Sequence, residues 1–142
     1  MSALERAKKM AASFDALSPA NRRTKANYLG KAALDALTAE FGSERLGLRF
    51  FYSLAAHLFQ ADGALSVEEY NLFIDCTRYP VSYERFVRAL EEAKLDEDEL
   101  DRQVDALTPS CKEAVCNAVA LFIGIDEQKD AKELALLAKL LA

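Results

Sequence analysis

Carboxylates at two places in this chain share one layout. The first runs from Ala61 through Asp62, Gly63, Ala64, Leu65, Ser66 and Val67 to Glu68 and Glu69; the second runs from Ile125 through Asp126 to Asp130 and Glu133. Aligning them pairs Asp62 with Asp126, Ser66 with Asp130 and Glu69 with Glu133, at a constant offset of 64 residues. Oxygen ligands with no histidine or cysteine beside them suit the hard cations Ca²⁺ or Mg²⁺ rather than zinc or copper. The same residues also read as helix starts. Asp-Gly makes a turn, and Ser66 with Glu69, like Asp130 with Glu133, forms a capping box that needs no ion. An EF-hand is excluded, because the twelfth position counted from Asp62 is Phe73, where a bidentate glutamate would have to stand.

Other chemistries find little to work with. His57 is the only histidine, and a buried partner role suits it better than catalysis. The motifs GxSxG, GxGxxG and GxxxxGK[ST] are absent, so the backbone geometries for acyl transfer, dinucleotide binding and P-loop chemistry are missing. Asp62 and Glu69 as an acid–base pair would lack both a nucleophile and an anion cradle. The chain therefore reads as a non-enzyme. Cys76, Cys111 and Cys116 are odd in number and form no CxxC pair; they read as reduced core residues in apolar helix stretches, in keeping with a cytoplasmic location. The net charge is −5, yet residues 1–31 hold seven bases against two acids, which leaves an acidic body. Such a body repels phosphate backbones, and Arg22, Arg23, Lys25 and Lys31 lack an interleaved stacking pattern, so no nucleic-acid partner is expected. Those bases read as a solvated helix face that pairs with the acidic body.

The elements that must hold the carboxylates are helices. At 142 residues, 51% hydrophobic, with five Gly and three Pro, the chain suits one compact all-α domain. Met1 to Leu17 is too charged for a signal peptide, and the longest apolar stretch, Ala114 to Ile125, is too short to span a bilayer, so direct membrane insertion is not expected. Ser2 with Glu5 opens a short helix, and Ser18-Pro19 opens a second that Gly42 ends. Ser43 starts a third reaching to about Ala61, with Leu46, Leu48, Phe50, Phe51, Leu54, Leu58 and Phe59 giving it an apolar face wide enough for burial on several sides. A helix from Val67 to Thr77 follows, stapled by Leu65 and Tyr70 and broken by Tyr79-Pro80. Ser82 opens the next, Asp96 with Glu99 caps another, Thr108-Pro109 starts a second buried helix to about Ile125, and Asp130 with Glu133 caps the last. The count is seven or eight helices. Apolar positions on both flanks follow the 64-residue offset, Leu54, Ala55, Leu58 and Phe59 matching Ala118, Val119, Phe122 and Ile123. The expected architecture is a pseudo-twofold globule, in which the unit of buried helix, acidic loop and capped helix occurs twice and the two buried helices meet at the centre.

Residues 60–69, Gln-Ala-Asp-Gly-Ala-Leu-Ser-Val-Glu-Glu, resemble the turn of the tellurite-resistance TerB-like helical family: an apolar helix, an Ala-Asp-Gly turn, a small capping residue and glutamates opening the next helix. The resemblance covers about Ser43 to Ala142, with residues 1–42 as N-terminal helices of the same domain, and it departs from the pattern in the second copy, where Glu127 and Ile125 replace the glycine and alanine. It implies an all-helical, non-enzymatic protein linked to stress responses. It also implies divalent metal on Asp62, Glu68 and Glu69 in the first copy and on Asp126, Asp130 and Glu133 in the second. The alternative is a metal-free interaction or scaffold module with an unidentified protein partner, for which exposed Tyr79 and Tyr83 are the candidate contacts.

Overall fold

The computed structural model describes residues 2–59, 65–125 and 131–141. These form eight helices and no strand: α1 (Ala3–Ala12), α2 (Pro19–Phe41), α3 (Glu44–Phe59), α4 (Val67–Thr77), α5 (Tyr83–Ala93), α6 (Glu97–Ala106), α7 (Pro109–Gly124) and α8 (Ala131–Leu141). The starts follow the expected caps. Side-chain oxygens of Ser2, Ser18, Ser66, Ser82, Asp96 and Thr108 each accept the backbone N–H three residues on, and Ser43 does the same for Leu46 at 3.0 Å. Gly42 ends α2 in the left-handed region at φ 76°, where a side chain would be strained. Arg78 ends α4 in the same region at φ 60°, a cap that no glycine announces.

The two copies share their boundaries. α8 begins and ends 64 residues after α4, and the matched pairs Leu54/Ala118, Ala55/Val119, Leu58/Phe122, Phe59/Ile123, Leu72/Leu136 and Phe73/Leu137 are all buried. At the centre, Phe122 of α7 meets Phe51 and Phe59 of α3, with ring centroids 5.7 and 5.2 Å apart. The surroundings of the copies differ. α2 packs against α3, α4 and α7, whereas α1 packs against α8 and α7; α5 lies on α3 and α6 on α8. α2 approaches α4 closely enough at Gly30 that an added Cβ would overlap the Cys76 backbone, and α7 approaches α1 in the same way at Gly124, where an added Cβ would lie 2.6 Å from the Ala11 carbonyl oxygen.

Two local expectations need correction. Leu46 does not join the buried face of α3: it is 48% exposed, whereas its neighbour Gly47 is the buried residue that packs on the α2 backbone at Leu37 and Thr38. Asp96 caps α6, yet Glu99 does not return the bond; its carboxylate instead takes Arg102 and Gln103 of its own helix. The expected end of α3 at Ala61 lies outside the described residues. Among the described residues no helix is long and apolar enough to cross a membrane.

Candidate functional site

The site expected from the carboxylates is built where α3 leads into α4 and α7 leads into α8. Asp62, Asp126 and Asp130 lie outside the described residues. Glu68, Glu69 and Glu133 lie in the first turns of α4 and α8. At the first junction both halves of the capping box are formed: the Glu69 N–H donates to Ser66 Oγ at 3.0 Å, and the Ser66 N–H donates to Glu69 Oε1 at 2.9 Å. Glu69 and its counterpart Glu133 are each only 3% exposed. Glu68 points the other way and is exposed, as is Lys132, which stands at its place in the second copy. Among the described residues no group of three or more His, Cys, Asp or Glu is arranged to hold a metal ion.

The approach to Ser66 is anchored from a different helix. Tyr83, at the start of α5, donates its hydroxyl to the Leu65 carbonyl at 3.0 Å and sets its ring edge-on to Tyr70 at 5.5 Å. Tyr70 in turn donates its hydroxyl to the Val81 carbonyl. A tyrosine pair thus ties the start of α4 to the turn before α5. Tyr83 remains 40% exposed, but its hydroxyl is already engaged within the fold, and Tyr79, at 52%, is the more open of the two rings. Sequence periodicity gave no sign of these bonds, since both acceptors are main-chain carbonyls brought near by the turn at Tyr79-Pro80.

The outer faces of the two capped helices carry opposite charge. α4 presents Glu68 and Asp75, and Asp75 lies 3.7 Å from Arg23 of α2. α8 presents Lys132 and Lys139 at the matched positions; Lys132 lies 3.6 Å from Glu97, and Lys139 lies 3.3 Å from both Asp101 and Asp105 of α6. Partial burial works to lower the Lys139 ammonium, but hydrogen bonds and charge from the two aspartates outweigh it and hold it above the usual lysine value. Part of the acidic run at the start of α6 therefore serves α8 as well as its own helix dipole. The spacing was the available signal: Glu97, Asp101 and Asp105 recur every fourth residue, and Lys132 and Lys139 are seven apart, so each set forms one stripe.

The three cysteines are free and buried. Burial pushes the Cys76 thiol well up, with the Asp75 charge adding to it. Cys111 departs from its expected setting, for it lies in the first turn of α7, with its N–H on Thr108 Oγ1. A helix start ordinarily favours a thiolate. Here burial, followed by the charge of Glu40, prevails, and the thiol is pushed up to about 11. Cys116 is raised by burial and Glu113, against a lowering effect of Arg6. His57 is half-buried on α3. No protein family matches the chain, and no curated protein or solved structure matches it.

Proposed function

We propose that this chain is a non-enzymatic helical binding module of the TerB-like kind, linked to stress responses, in which the acidic loop–helix junctions take up a hard divalent cation, Ca²⁺ or Mg²⁺. The ligands would be Asp62, Glu68 and Glu69 in the first copy and Asp126, Asp130 and Glu133 in the second. The observation that carries the reading is the matched burial of Glu69 and Glu133, each 3% exposed in the first turn of its helix. Both stand beside an acidic loop at one offset of 64 residues, and carboxylate oxygens are the donors that a hard cation takes.

Thermal melts with and without millimolar Ca²⁺ or Mg²⁺, together with calorimetric titration, test it. A ligand that binds only the folded state raises the melting temperature, so the wild type should shift upward and Asp62→Asn with Glu69→Gln should remove the shift. A silent titration with no thermal shift would end this reading.

A metal-free interaction module is the second reading, and the exposure of Tyr79 favours it. This ring stands at the rim of a cleft of about 190 Å³ that α2, α3 and the end of α4 form with Lys31, Asp35, Leu48 and Thr77. Substituting Tyr79→Ser would then weaken partner capture and leave the fold intact.

A further inference from the structure

Arg45 and Arg49 stand one turn apart on α3, and both are exposed. Among the described residues no carboxylate lies within ion-pair distance of either guanidinium. Like charges four residues apart oppose each other on a helix. Arg45 also lies in the first turn of α3, where the helix dipole disfavours a cation. Local helix chemistry therefore gives no reason for this pair, and a departure of that kind is where a binding role is to be sought. The two side chains rim a groove of about 230 Å³ between α3 and α5. Its floor is apolar: Leu48 and the ring of Tyr52 on α3, each half-buried, face Ala89 and Ala93 on α5. Glu92, on the α5 side, is the one acid that lines it among the described residues. From Arg45 to Tyr52 the groove follows two turns of α3, about 10 Å.

We propose that this groove binds a small anionic amphiphile, with an aliphatic body laid on Leu48, Ala89 and Ala93 and a carboxylate head held by Arg45 and Arg49. A concave apolar floor with a few convergent polar groups at its rim is the usual make-up of a small-molecule site. The arginines decide the sign of the ligand. A neutral body would leave the two cations opposed, and a cationic head would add a third like charge, whereas a carboxylate accepts paired N–H bonds from guanidinium and relieves the repulsion. Glu92 repels such a head, which places it on the α3 side and leaves the rest of the groove to the body. The length available along α3 suits a medium-chain acyl body. This site shares no residue with the capping glutamates, and only Leu48 with the cleft beside Tyr79, so it stands apart from both readings above.

The test titrates the full, isotope-labelled chain with octanoate in EDTA, so that failure of the cation reading leaves the result untouched, and follows the backbone amide resonances. Saturable shifts centred on residues 45–52 and 89–93 are expected. Acetate carries the head alone and octanol the body alone; each should bind roughly tenfold or more weakly than octanoate. Arg45→Gln combined with Arg49→Gln should weaken octanoate by a similar factor, and raised salt should weaken it for the wild type, as an exposed charge contact requires. Ala89→Phe, which fills the groove from a half-buried position, should abolish the localised shifts. Circular dichroism checks that each variant is helical, and the exposed arginine pair decides the matter should Ala89→Phe fail to fold. No saturable shift, octanol binding as well as octanoate, or octanoate binding unchanged in the folded arginine variant would each overturn the proposal.

Discussion

In the first copy Phe73 stacks on Phe51 at 5.2 Å, meets Tyr52 at 4.6 Å and Phe86 at 5.1 Å, and lies within an aromatic cluster that reaches Phe122. In the second copy the matched residue is Leu137, buried to the same degree beside Leu136 and Leu140. The buried face of α4 thus packs through a ring where that of α8 packs through aliphatic side chains. Their outer faces differ as well, acidic on α4 and basic on α8, and each face has a different neighbour. The contrast shows that the repeat specifies where a side chain is buried, while the helices around each copy specify what fills the space and what sign the surface carries.

Truncating the matched core residues should give the largest effects. Phe73→Ala should cost about 3–5 kcal/mol and Leu137→Ala about 2–5 kcal/mol, as large-to-small changes in cores do. Chemical denaturation of both variants measures the pair; a cost under 1 kcal/mol for Leu137 alone would break the equivalence of the copies. Next comes the close approach of α2 to α4 at Gly30. Gly30→Ala gains helix propensity worth about 1 kcal/mol but drives a Cβ into the Cys76 backbone. The net result should be a loss of about 2 kcal/mol and a fall in melting temperature of roughly 4–8 °C. A stabilised variant would show that α2 and α4 can separate freely.

Capping sharpens the comparison further. Glu69→Gln keeps the bond to the Ser66 N–H, whereas Glu69→Ala loses it and should cost about 0.5–2 kcal/mol, by analogy with the loss of a cap. Equal losses for the two variants would mean that the charge, and not the hydrogen bond, is what Glu69 contributes. The smallest effect concerns Lys139. Its value is raised in the folded state, so its stabilisation is fully present below the unfolded lysine value and fades as pH rises through the folded one. Lys139→Met should therefore cost a small amount of stability at neutral pH, and its difference from the wild type should disappear as pH rises through the folded lysine value. The thiols offer a separate check on burial: Cys76, Cys111 and Cys116 should react slowly with a thiol reagent near neutral pH until the chain unfolds.

What the amino-acid sequence determined by itself was local. Seven of the helix starts lie at a Ser, Thr or Asp that accepts an N–H three residues on, and the turn at Gly42 lies where a left-handed residue was required, because these bonds are made within a few residues. The repeat was legible for the same reason, since a 64-residue offset in carboxylates and apolar positions needs no knowledge of packing. Tertiary structure decided the rest. It buried Glu69 and Glu133, left Leu46 in solvent, turned Tyr83 toward the Leu65 carbonyl, set Cys111 at a helix start yet kept its thiol protonated, and laid α6 on α8. Each outcome depends on atoms distant in the chain, whose approach is governed by helix packing and charge pairing across helices. A periodicity within one helix reports which side is apolar; it carries no record of which helix will cover it, or whether one will.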